Sequence, residues 1–217
     1  MFDLTLSFDN GPEPDVTPGV LDALAAHGIL STFFVIGEKL QDPQRRALVA
    51  RAHEAGHWIG NHTFTHSFPF GDGQVADAPR QEIGRTQMAL GDLAHPDRLF
   101  RPYAGGGGAL GPRLFNRAAV RYLVEGRYTC VLWNAIPHDW DNPDGWVETA
   151  LAQCRAGAWS LMVVHDLPTG AMRHLPRFLD CVRDAGGRVH QAFPPACIPI
   201  VRGERVLPLD GYVSDER

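Results

Sequence analysis

Leu4-Thr5-Leu6-Ser7-Phe8 alternates apolar with polar residues and stops at Asp9-Asn10-Gly11-Pro12, which predicts a strand ending in a turn. Thr17-Pro18 follows with the pattern of a helix cap and a proline at the first helical position, and Gly28 closes that helix. The run 31–36 (STFFVI) predicts a buried strand ended by Gly37. Asp42-Pro43 opens a second helix that Gly56 ends. Further strands are expected over 58–60, 98–101, 121–124, 129–133, 160–165 and 188–193. Helices are expected over 79–93, 110–119, 144–156 and 175–185. Repeated βα units with buried strands favour an α/β fold on a parallel sheet, open or closed into a barrel. With no repeat and no linker, 217 residues read as a single domain 1–217, and residues 194–217 as an irregular C-terminal extension packed on the outside.

Composition narrows the function classes. A net charge of -5 and the absence of any arginine stripe give no footprint for nucleic acid or an anionic membrane. Lys39 is the only lysine, which reads as a bias toward arginine. Apolar runs such as 161–164 are too short to span a bilayer. Met1-Phe2-Asp3 runs straight into the first strand, without a basic and apolar leader, so a cytoplasmic location is expected. Cys130, Cys154, Cys181 and Cys197 form no CxxC pair and read as reduced thiols. Gly106, Gly108 and Gly111 match a dinucleotide fingerprint only formally. They lie mid-chain, away from a first βα turn, and read as a rim loop.

The chemistry-bearing residues recur where predicted strands end. Asp9 and Asn10 follow the first strand, His62 and His66 the third; Arg101 and Tyr103, then Asp139 and Trp140, then His165 end others. In barrels and open parallel sheets that edge is where ligands bind. His62 and His66 stand at i and i+4, a spacing that on a helical turn lets both reach one metal. His165, followed by Asp166, is suited to proton donation near neutral pH.

Five segments in order then resemble the motifs of the polysaccharide deacetylase (NodB-like, carbohydrate esterase family 4) family. They are Ser7-Phe8-Asp9-Asn10-Gly11-Pro12, the segment from Gly56 to His66, Phe100-Arg101-Pro102-Tyr103, the stretch from Trp133 to Asp139-Trp140, and Leu161-Met162-Val163-Val164-His165. The resemblance covers about residues 4 to 193. It implies a distorted (β/α) barrel, closed or incomplete, and hydrolysis of a non-peptide amide bond in a small molecule or oligosaccharide, most simply N-deacetylation of an N-acetylated sugar. It implies one divalent metal, zinc first, with cobalt, nickel or manganese as alternatives, held by His62, His66 and position 10. Asp9 would be the general base, Arg101 its partner, and Asp139 the residue orienting His165, which protonates the leaving amine. The backbone N–H near Tyr103 or Ala104 would face the oxyanion. Trp140 would wall the groove, and Leu161 or Val163 would line an acyl pocket.

The chain departs from the family pattern at three places. Position 10 is Asn, a neutral residue where the family carries a metal-binding Asp, so weaker cation affinity is expected. Ile136 stands where the fourth motif often has an Asp, and Arg101-Pro102-Tyr103-Ala104-Gly105 shifts the usual aromatic by one place. Two other functions therefore stay open: a metal-independent cyclic-amide hydrolase of the same superfamily, and a non-catalytic carbohydrate-binding protein.

Overall fold

The computed structural model describes residues 1–73 and 77–214. Its elements follow in chain order: β1 (Asp3–Asp9), α1 (Thr17–Ala26), β2 (Thr32–Val35), α2 (Pro43–Glu54), β3 (Trp58–Asn61), α3 (Arg85–Leu90), β4 (Leu99–Phe100), α4 (Arg117–Glu125), β5 (Thr129–Cys130), α5 (Trp146–Ala156), β6 (Trp159–His165), α6 (Leu175–Asp184), β7 (Arg188–His190), β8 (Ile200–Val201) and β9 (Glu204–Arg205). The sheet runs β6-β1-β2-β3-β4-β5-β8-β9, parallel from β6 to β5. It curls into a half-barrel. Beyond β5 the chain reaches across to β6, where Ala135 bridges Met162 and exchanges hydrogen bonds with Leu161 and Val163.

The period-2 pattern explains both faces of the sheet. Leu4, Leu6 and Phe8 of β1, with Met162 and Val164 of β6, enter an outer core against the helices. Leu161 and Val163 belong to a separate inner cluster with Phe34, Phe100 and Leu132. Inward-facing β1 residues are polar instead: Thr5, Ser7 and Asp9 are all buried. A strand apolar on both faces would need no active site; this one carries its polar face into the barrel, toward the strand C-termini.

Local chemistry sets the helix ends, with one surprise. Asp42 caps α2 by accepting from Gln44 N at 2.8 Å. Gly28 and Gly56 take the left-handed conformation that ends α1 and α2. Thr17, expected to cap α1, lies inside it; its hydroxyl accepts from Glu13 N and donates to Asp166.

Two sequence expectations are corrected. The segment 121–124 is not a strand but the end of α4. Asn116 caps this helix through Ala119 N, so the helix expected over 110–119 begins near its end instead. A short apolar run fits strand or buried helix equally; here Ala119, Val120 and Leu123 recur at helical spacing and are buried. Nor does the C-terminal tail merely lie outside. Ile200 pairs antiparallel with Cys130, and Cys197, Ile200 and Leu209 sink into the inner cluster, since the short β5 leaves an edge to be covered. Residues 215–217 of that extension lie outside the described residues.

Candidate active site

Most of the polar residues expected at the strand ends line one cavity of about 210 Å³, while Arg101 and Asp139 are fully buried and do not line it. Asp9, Asn10, His62, His66, Tyr103, Ala104, Trp140 and His165 all face it. Its floor and walls are apolar: Pro102, Trp133, Ile136, Val163 and Leu167. Leu161 is not among the lining residues. It points inward two positions deeper along β6, so Val163, one layer below His165, meets the cavity instead.

Asp9 sits beside His165 because β1 and β6 pair in register, with the two as Cα partners. The Asp9 carboxylate is buried and accepts from Arg101 Nη1 at 2.8 Å. Arg101 is wholly buried. Nη1 also donates to Ser7 Oγ at 2.7 Å, Nε to the Val131 carbonyl at 3.2 Å, and the guanidinium lies 4.0 Å over the Phe34 ring. Such a satisfied guanidinium fixes the orientation of the carboxylate it pairs with.

His62 and His66 bring their Nε2 atoms to 3.1 Å. They do so on a loop, not on the helical turn that their spacing suggested: Thr63 and His66 both have positive φ. The loop is tied down by Asn61, whose carboxamide oxygen accepts from Thr63 N, and by Glu82, whose carboxylate accepts from Phe64 N, Thr65 N and the Thr65 hydroxyl. Nothing in the sequence marked Glu82, because its partners are backbone amides 17 and 18 residues away. Removing such a buried acceptor of several bonds costs about 1–3 kcal/mol. Glu82→Ala should therefore lower the melting temperature and loosen His66, a result that thermal unfolding with zinc titration would read.

Burial lowers the pKa of both histidines, that of His66 to about 2, with the neighbouring His62, His165 and Lys39 pushing the same way. Both rings are neutral at physiological pH. His62 Nδ1 donates to the Arg101 carbonyl at 2.9 Å, which leaves its Nε2 as a lone pair beside His66 and 3.5 Å from Asp9 Oδ2. The third group is Asn10, held at φ 73, whose amide oxygen is buried and accepts no hydrogen bond. Two neutral imidazoles and an unpartnered amide oxygen fit a divalent cation in donor type. Among the described residues no cluster of three or more His, Cys, Asp or Glu forms such a site.

His165 stands opposite. Asp139, fully buried, accepts from both His165 Nδ1 and His165 N at 2.9 Å, and Trp140 packs edge-on against the ring at 4.7 Å. Burial disfavours the imidazolium, yet the bond to Asp139 and the charges of Asp139, Asp9 and Asp166 outweigh it and raise the pKa. A raised pKa suits a proton donor near neutrality. Activity that needs the imidazolium should thus be retained below that pKa and fall as pH rises through it. The same shift favours the folded state fully below about 6.5, the unfolded value, and loses that contribution as pH rises through the folded one. A rate profile compared between wild type and Asp139→Asn reads the effect: the alkaline limb should move to lower pH in the variant.

The backbone from Arg101 turns at Pro102 into Tyr103 and Ala104. Among the described residues neither of their amides donates to a main-chain carbonyl, and the Tyr103 ring lies 4.0 Å from that of His66. The glycine loop forms the rim: Gly108, at positive φ, packs so closely that a Cβ would sit 2.5 Å from Ile136, and its carbonyl accepts from the Trp133 indole. Lys39, read from sequence only as a compositional oddity, donates to the Asn10 carbonyl and to Glu13. Asp166 packs behind Gly11.

Known proteins resemble this chain in sequence and in fold. The polysaccharide deacetylase family model matches residues 3–122. A chitooligosaccharide deacetylase of Rhizobium leguminosarum bv. phaseoli is 32% identical over 75% of this chain and 67% of its own length. A peptidoglycan-N-acetylglucosamine deacetylase of Listeria monocytogenes is 29% identical over 76% of the chain but only 32% of its own. Among solved structures, a family 4 carbohydrate esterase from Streptomyces lividans in complex with acetate superposes with a TM-score of 0.69 at 27% identity, covering 99% of this chain and 98% of its own. Among the described residues no helix is long and apolar enough to cross a membrane. The chain belongs to the polysaccharide deacetylase family, hydrolases of carbon–nitrogen bonds other than peptide bonds.

Proposed function

We propose that the cavity hydrolyses the acetamide of an N-acetylated sugar, in a small oligosaccharide or soluble precursor, giving acetate and the free amine. The observation that carries this reading is the pairing of two opposed groups across one cavity: Asp9, ion-paired with Arg101, and His165, bonded through Nδ1 to Asp139. Asn10, His62 and His66 would hold a divalent cation, zinc before cobalt, nickel or manganese, which when bound would supply Lewis-acid polarisation of the amide carbonyl and lower the pKa of the attacking water. Asp9 takes the proton from the attacking water. The amide N–H groups of Tyr103 and Ala104 face the oxygen on which charge develops. His165 gives its Nε2 proton to the departing amine while Asp139 keeps Nδ1 protonated. Val163 and Trp133 shape the acyl end, and Trp140 offers an aromatic wall for the sugar.

Domain extent follows the same reading: 1–217 as one catalytic domain, whose tail closes the sheet edge. A panel of N-acetylated oligosaccharides and cyclic amides, assayed with and without chelator, tests the function. Chelator-sensitive release of acetate supports it; cyclic-amide opening indifferent to chelator transfers the site to the metal-independent alternative.

A further inference from the structure

Of the five asparagines in the chain, only Asn10 is followed by glycine. Gly11 has no side chain to shield its nitrogen, and the Asn10 side-chain oxygen accepts no hydrogen bond that would anchor the amide. Asn10 is only half-buried and lines a cavity of about 210 Å³, which has room for water beside its side chain although the amide oxygen itself is covered. The Nζ of Lys39, the only lysine, donates at 2.5 Å to the Asn10 main-chain carbonyl, and Glu13 and Arg45 hold that lysine in a buttressed network. When the Gly11 nitrogen gives up its proton to act as a nucleophile, the charge spreads onto this same carbonyl oxygen. An ammonium donating there stabilises the reactive form through a charge-assisted bond.

We propose that Asn10 is a site of self-deamidation, promoted by Lys39, which converts the neutral third ligand into a carboxylate. The Gly11 nitrogen bonds to Asn10 Cγ and releases its proton; the Cγ–Nδ2 bond breaks, and ammonia leaves with that proton. Water then adds to the cyclic imide at Cγ, the Cγ–N bond breaks, and an aspartate stands at position 10. No oxidant or other reactant is needed. The consequence for catalysis rests on the metal-assisted reading above, but the modification does not, and its readout is mass.

The test is peptide mass spectrometry after timed incubation of the purified protein. The tryptic fragment 1–39 contains Asn10 and no other asparagine or glutamine, so any amide-to-acid mass gain in it reports this position alone. The fragment should convert progressively in the folded protein, and more slowly in urea, where Lys39 no longer sits on the carbonyl. In Lys39→Met trypsin cuts next at Arg45 and the fragment takes in Gln41 and Gln44, so position 10 is read there by fragment-ion sequencing; conversion should slow by about tenfold, which about 1.4 kcal/mol in the barrier produces. Lys39→Arg, which keeps a cationic donor, should convert at close to the wild-type rate and guards against misfolding of the first variant. An unchanged fragment after prolonged incubation would overturn the proposal. So would faster conversion in urea than in the fold, or equal rates in wild type and Lys39→Met.

Discussion

His165→Ala should lower turnover by about 10²–10⁴-fold, the range typical of removing a general acid. The ring lines the cavity, and its orientation is fixed twice by Asp139, through Nδ1 and through its own amide. Truncation leaves the Asp139 carboxylate buried, though still bonded to the His165 backbone, so a stability cost of about 1–3 kcal/mol is expected alongside. Thermal unfolding separates the two effects. Asp9→Asn should cost turnover in the same range while retaining an acceptor for Arg101. Activity within a few-fold of wild type in both folded variants would remove the pair from the chemistry.

Asn10→Asp should raise divalent-metal affinity by about one to two orders of magnitude. Opposite charges about 4 Å apart interact by roughly 1 kcal/mol in water and about 4 kcal/mol at an effective dielectric of 20. Repulsion from Asp9 and desolvation of the new carboxylate reduce that gain, and each 1.4 kcal/mol that survives is about tenfold in affinity. Both histidines are already neutral through burial, so neither needs to lose a proton to bind. Zinc titration of chelator-stripped wild type and variant measures the difference. Equal binding, or none by either protein, would mean that the His62–His66 pair is not a metal site.

What the sequence revealed and what it concealed divide along a physical line. Asp9, Arg101 and His165 were legible because strand ends in a βα fold converge by topology, and topology follows from hydrophobic period; Asp139, well beyond the end of β5, was marked by the resemblance to the family's fourth motif. The supports of those residues were not. Glu82 reaches its loop across a bend in the chain, with no local pattern to announce it. Lys39 and Asp166 act on backbone and on a glycine face, contacts that leave no trace in spacing. The His62–His66 spacing was read as helical, whereas positive φ at Thr63 and His66 turns a loop to the same end. Leu161 and Val163 share a face of β6, and only depth along the strand decides that Val163 meets the cavity.

The most direct measurement is quantification of both products from a chitooligosaccharide incubated with zinc-loaded wild-type protein. Acetate and free amine should appear in equal amounts, cease on chelation, return on adding zinc, and be reduced by about two or more orders of magnitude in His165→Ala. Release of neither product by folded, zinc-loaded protein, or release undiminished in His165→Ala, would contradict the assignment of this cavity as an amide-hydrolysing site.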